Sequence, residues 1–192
     1  MDSTNTKGTV LIVDISGYTK FINNIDIQNG VQIVRTLLNT IIKQDRLSLS
    51  IAEIEGDAVL FYKLGKPFPI QLLMAEFYSM FNAFKTEIDL LEKQFPALKD
   101  LSLKAVTHYG SIEQYTIGGF QKLYGKVLVD AHRLLKNSIP TDTYVMITNH
   151  YLNALTESES QYILFNGYQR CDLYDVGKLC YTYIPFPKTV YK

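Results

Sequence analysis

Two aspartates stand where a chain can bring carboxylates together at one end of a sheet. Asp14 closes the run Val10-Leu-Ile-Val13, and Asp57 follows Gly56 between Ile51–Glu55 and Ala58–Tyr62. Val10–Val13 is short, aliphatic and β-branched, the composition of a strand covered on both faces. Asp14 then falls where that strand meets solvent. Glu55-Gly56-Asp57 reads as the tight turn of a hairpin, since glycine supplies the backbone freedom such turns need. If the hairpin lies beside the first strand, the two carboxylates converge and can hold divalent metal against phosphate oxygens. Ser16 and Gly17 let the chain turn into a helix whose first N–H groups face an anion. Each aspartate also has a plainer reading. Asp14 could cap the following helix, and Asp57 could be turn chemistry alone.

The elements that must position these groups follow from periodicity. Met1–Lys7 is polar and reads as a disordered lead to one domain over residues 1–192, with its core at 8–185. Val34, Leu37, Leu38, Ile41 and Ile42 fall at helical spacing, which predicts a helix over Gln28–Asp45. Leu47–Glu53 and Ala58–Lys63 read as strands. Ile70, Met74, Phe77, Phe81, Phe84, Ile88, Leu91 and Phe95 form one apolar seam on a long helix ended by Pro96. That seam packs on a sheet or, alternatively, makes a coiled-coil contact with a partner. Leu101–His108 is a strand, Tyr109-Gly110-Ser111 a turn and Ile112–Ile117 its hairpin partner. Gly118-Gly119 is a loop. Gly125–Asn137 is a helix with Leu128, Ala131, Leu134 and Leu135 inward. Tyr144–Thr148 is a strand, Asn149–Leu155 a short helix and Thr156–Gln161 a polar loop. Ile163–Phe165, Arg170–Tyr174 and Leu179–Ile184 close the sheet. The order predicts an α+β fold, a ferredoxin-like βαββαβ core with additional C-terminal strands and helices.

Bulk composition removes several function classes. The 19 Lys and Arg balance 19 Asp and Glu, which argues against a general nucleic-acid or anionic-membrane binder. No segment approaches the roughly 20 apolar residues of a membrane span. Cys171 and Cys180 lack metal-site spacing, so a reduced, cytoplasmic setting is the expectation. His108, His132 and His150 share no metal spacing, and His108 reads as a partly buried, hydrogen-bonded strand histidine. Lys126, Asp130 and Arg133 read as a surface ion-pair row. No phosphate-binding Gly-x-x-x-x-Gly-Lys loop, zinc-protease His-Glu-x-x-His or hydrolase Gly-x-Ser-x-Gly occurs.

Asp14-Ile-Ser-Gly-Tyr-Thr19 and Glu53-Ile-Glu-Gly-Asp57 resemble the two metal-site motifs of class III nucleotidyl cyclases. Tyr124-Gly125, followed by Ala131-His-Arg133-Leu134, is similar to that family's later helix. Val176-Gly-Lys178 is similar to its C-terminal phosphate-binding segment. The resemblance spans roughly Gly8–Pro185, and is nearest to a bacterial family of unknown function with a cyclase-like domain. It implies a homodimer that binds a purine nucleoside triphosphate and forms a 3′,5′-cyclic nucleotide and pyrophosphate. It also implies two ions, Mg²⁺ or Mn²⁺, on Asp14, Asp57 and the Ile15 carbonyl. Ser16, Gly17, Tyr18 and Thr19 would meet phosphate oxygens. Arg133, from the second subunit, would offset transition-state charge, and Lys178 would hold the outer phosphates. Glu53 takes the base-reading position and favours guanine, whereas its companion Lys122 fits neither base pattern. Val129 stands where the family has an asparagine directed to the ribose. This departure opens a second reading, a degenerate nucleotide-binding or signalling module.

Overall fold

Alternation along the first strand sets the layers of the molecule. The computed structural model describes residues 6–156 and 167–186. Strand β1 (Lys7–Ser16) buries Leu11, Val13 and Ile15 on one face and Val10 and Ile12 on the other. After α1 (Tyr18–Ile22), helix α2 (Ile27–Lys43) covers the first face. Asp26 caps α2 by accepting from the Asn29 N–H at 3.0 Å. Strands β2 (Ser50–Glu55) and β3 (Ala58–Leu64) form the expected hairpin, and α3 (Ile70–Leu91) packs beside α2. A 3₁₀ turn at Pro96–Asp100 leads into β4 (Ser102–Ser111). Strands β5 (Glu113–Ile117) and β6 (Phe120–Tyr124) precede α4 (Lys126–Leu134), which covers the second face with Val127, Ala131 and Leu134. β7 (Tyr144–Thr148), α5 (Asn149–Leu152), β8 (Tyr168–Tyr174) and β9 (Gly177–Pro185) complete the chain.

Among the described residues, seven strands form one sheet in the order β2-β3-β1-β4-β7-β9-β8. β4 and β7 run parallel and the other neighbours antiparallel. The first four strands with α2 and α3 are the βαββαβ core. The α3 seam is internal: Ile70, Phe77, Phe81, Phe84 and Ile88 are buried in the main core, so the coiled-coil reading falls. No described helix is long and apolar enough to cross a membrane.

Several local expectations change. β4 runs straight through Tyr109-Gly110-Ser111, because β1 pairs with it along its whole length, Lys7 opposite Ser111 and Gly8 opposite Gly110. Ile112–Ile117 therefore does not fold back on β4. Its residues 113–117 pair instead with β6 around Gly118-Gly119, a separate two-stranded ribbon. Lys7 belongs to β1 rather than to a lead. Ile163–Phe165 and all but the first residue of the 156–161 loop lie outside the described residues. Cys171 and Cys180 face each other across β8 and β9 and form a disulfide, contrary to the reduced pair expected from their spacing.

Candidate active site

The end of β1 and the β2–β3 turn are tied together by the main chain. The Ile15 N–H donates to the Asp57 carbonyl at 3.2 Å. Asp14 continues the Val10, Ile12 stripe, so its side chain lies on the α4 face. Asp14 and Asp57 thereby share a polar cleft of about 600 Å³ with Glu55, Lys104, Arg133 and Lys136. Gly17, at φ 86°, enters α1 as its cap residue, and no side chain caps that helix. The capping reading of Asp14 accordingly fails. A Cβ on Gly17 would also come within 3.0 Å of the Asp100 carbonyl oxygen.

Burial and like charge set the electrostatics of the pair. Burial raises the Asp14 pKa and Lys104 partly offsets this. Burial, reinforced by the charge of Asp14, pushes Asp57 up to about 6. Two carboxylates beside the Ile15 main chain are hard oxygen donors of the kind Mg²⁺ or Mn²⁺ takes. Among the described residues no third His, Cys, Asp or Glu joins them into a metal-holding group. The donor set thus fits an ion that keeps waters or arrives with phosphate, not an all-protein cage.

The other predicted positions divide. Tyr18 and Thr19 line the cleft. Ser16 does too, but its hydroxyl donates to the Asp142 carbonyl at 2.7 Å and is committed there. Arg133 lines the cleft of its own chain, whereas the resemblance put it on a second subunit. Its Nη2 lies 2.7 Å from Asp175 Oδ2, while its buried Nε has no hydrogen-bond partner. Lys178 is displaced from the site. Leu179 and Tyr181 are buried in the α4-side core, so strand alternation puts Lys178 on the opposite face, where it is exposed. Glu53 borders an adjoining cleft of about 300 Å³ that also contacts Asp14 and Asp57. Its Oε1 is 2.5 Å from Lys122 Nζ, so the two base-reading positions pair with each other. A one-residue irregularity in β2 between Ile51 and Glu53 and the lean of β6 on β2 bring them together.

Sequence reasoning missed Lys104. It stands directly opposite Asp14 in the β1–β4 register, with Nζ 3.2 Å from Asp14 Oδ1. Its signal was available as the one charge in the Leu101–His108 strand. Asp130 was misplaced as a surface residue. Its side chain is 3% exposed, accepts from Lys126 Nζ at 2.6 and 2.8 Å, and lies 3.4 Å from His108 Nε2. His108 Nδ1 is 2.7 Å from the Thr148 hydroxyl, and burial holds the imidazole pKa well below its ordinary value. This buried chain fastens α4 to β4 and β7. Asp130→Ala is expected to cost about 1–3 kcal/mol, because the imidazole N–H loses its acceptor. Asp130→Asn, which keeps an acceptor, should recover much of that in urea unfolding. Equal losses from both variants would show that charge, not the hydrogen bond, matters.

Solved adenylyl and guanylyl cyclase domains share this α+β fold. The chain is similar to the adenylyl cyclase CyaB from P. aeruginosa, with a TM-score of 0.62 and 17% identity over 97% of each chain. It is also similar to the guanylate cyclase domain of RhGC from Catenaria anguillulae, solved in complex with GTP. There the TM-score is 0.61 and the identity 16%, over 94% of this chain and 96% of the other. At these identities the likeness shows the fold. By sequence the chain belongs to the family described as "Protein of unknown function (DUF2652)", whose model matches residues 34–144. A curated relative, the uncharacterized protein Rv2561/Rv2562 of Mycobacterium tuberculosis, is 27% identical over 117 residues. The match covers 57% of this chain and 55% of the relative, so this chain spans about half of that protein's length.

Proposed function

We propose that the cleft binds a purine nucleoside triphosphate together with Mg²⁺ or Mn²⁺, and that the chain is a nucleotidyl cyclase-like domain. The observation that carries this is the meeting of Asp14 and Asp57 with Lys104, Arg133 and Lys136 around one polar cleft. Acidic and basic walls facing each other suit a metal–phosphate complex, which is anionic where it meets the bases and cationic where it meets the acids. Asp14 and Asp57 would hold the ion, which neutralises phosphate charge and lowers the pKa of a ribose 3′-hydroxyl. The Lys104 ammonium, and the Arg133 guanidinium once released from Asp175, would meet the phosphates and offset charge that develops on them. The adjoining cleft bounded by Ile12, Leu60 and Glu53 suits the base. Glu53 is an acceptor for guanine N–H groups, but Lys122 already occupies one oxygen, so preference for GTP over ATP should be slight.

A second reading, binding without turnover, is supported by three residues. Val129 is exposed and cannot hydrogen-bond, Arg133 is drawn to Asp175, and Glu53 is engaged by Lys122. A cyclisation assay separates the two. ATP or GTP with excess Mn²⁺ should yield 3′,5′-cyclic product, read by mass spectrometry, from the wild type but not from Asp57→Ala. No product alongside a nucleotide-induced thermal shift makes the domain a binding module. A homodimer is part of the proposal, and light scattering at micromolar concentration should report twice the 22.0 kDa chain mass.

A further inference from the structure

The position of Lys104 bears on how many ions the cleft can hold. Its side chain is 21% exposed and that of Asp14 16%, so the pair is largely withdrawn from water. A lysine at that depth needs an acidic partner, and strand register supplies one. Lys104 and Asp14 are opposite each other on antiparallel strands and on the same face. The ammonium sits 3.2 Å from Oδ1, leaving Oδ2 as the uncommitted Asp14 oxygen. With so few donors, two divalent ions about 3.5–4 Å apart could be held here only by carboxylates shared between them, one oxygen to each ion. Asp14 cannot do that while Oδ1 faces an ammonium, since an ion bound to that oxygen would be pressed against a like charge. Asp14 Oδ2, the Asp57 carboxylate and the Ile15 carbonyl remain, enough to share one octahedral ion with waters and phosphate. Glu55 and His132 also line the cleft, but among the described residues no third acidic or histidine side chain joins the pair in a metal-holding group.

We propose that Lys104 is a built-in counter-ion that takes the place of a second divalent cation, so the cleft loads one divalent ion per triphosphate. This rests on the reading of the cleft as a metal–nucleotide site. The test is low-temperature electron paramagnetic resonance of the full chain with Mn²⁺ and a triphosphate whose α,β-bridging oxygen is replaced by methylene. Metal per chain is measured after gel filtration. Wild type is expected to carry one Mn²⁺ with a mononuclear spectrum. Lys104→Met, which keeps length and removes charge, should carry two with an exchange-coupled spectrum, and Lys104→Arg should stay at one. A coupled pair in the wild type overturns the proposal whether or not Lys104→Met folds. So does a folded Lys104→Met that still holds one ion. If wild type retains no Mn²⁺, with or without the analogue, the metal–nucleotide reading fails and this inference with it.

Discussion

Asp57→Ala is expected to lower Mn²⁺-dependent cyclisation by on the order of 10³-fold, and at the same time to raise the melting temperature at pH 7–8. The loss follows from removing one of two carboxylates facing the phosphate cleft. Charge stabilisation of several kcal/mol at the transition state corresponds to a factor of that size. The gain has a separate cause. The folded-state pKa of Asp57, about 6, lies above its unfolded value of 3.8 because burial and the Asp14 charge oppose ionisation. The folded chain therefore binds more protons between these values, so stability falls as pH rises through the window. The cost is fully present above about pH 6 and absent below 3.8. Alanine removes it, so the variant should melt above wild type at pH 7–8, and the advantage should vanish near pH 4. The Ile15 N–H bond to Asp57 uses the main chain and survives the substitution. Scanning calorimetry at the two pH values, beside the product assay, checks both halves. A variant that loses activity and also melts lower at pH 7–8 would mark Asp57 as a structural turn residue. Such opposition between stability and function is usual where like charges are held together for a ligand.

Phe81→Ala should be the most destabilising of the substitutions considered, by about 3–5 kcal/mol. Phe81 is 1% exposed in the middle of α3, stacked on Phe77 at a centroid distance of 6.1 Å and edge-on to Phe186 at 6.2 Å. Truncation removes the ring's burial and leaves a cavity that the flanking α2–α3 packing cannot close. Alanine's better helix propensity returns only a few tenths of a kcal/mol. For a chain of this length the melting temperature should drop by roughly 6–20 °C. Far-UV circular dichroism through a thermal ramp measures it. A drop of only a degree or two would mean that the seam faces outward in solution, reviving the coiled-coil reading of α3.

The β-branched run before Asp14, the glycine turn before Asp57 and the α3 seam were legible in the sequence, because each is a local signal. Short-range periodicity and turn chemistry determine whether a segment is strand, turn or helix and which side is apolar. From these came the βαββαβ core and two carboxylates at one sheet end. Strand register was not legible, since it depends on pairing between segments nearly a hundred residues apart. Register put Lys104 opposite Asp14 and carried β4 through a glycine that reads as a turn. It also turned Lys178 away, because one step along a strand reverses the face. Side-chain partners were equally out of reach. Lys122 meets Glu53, Asp175 meets Arg133, and Asp130 turns inward to His108, each through the packing of elements that are distant in the chain. The sequence by itself determined which residues could do chemistry. Only the tertiary structure decided which charges already have partners, because a charge's environment is the sum of what the whole fold places around it.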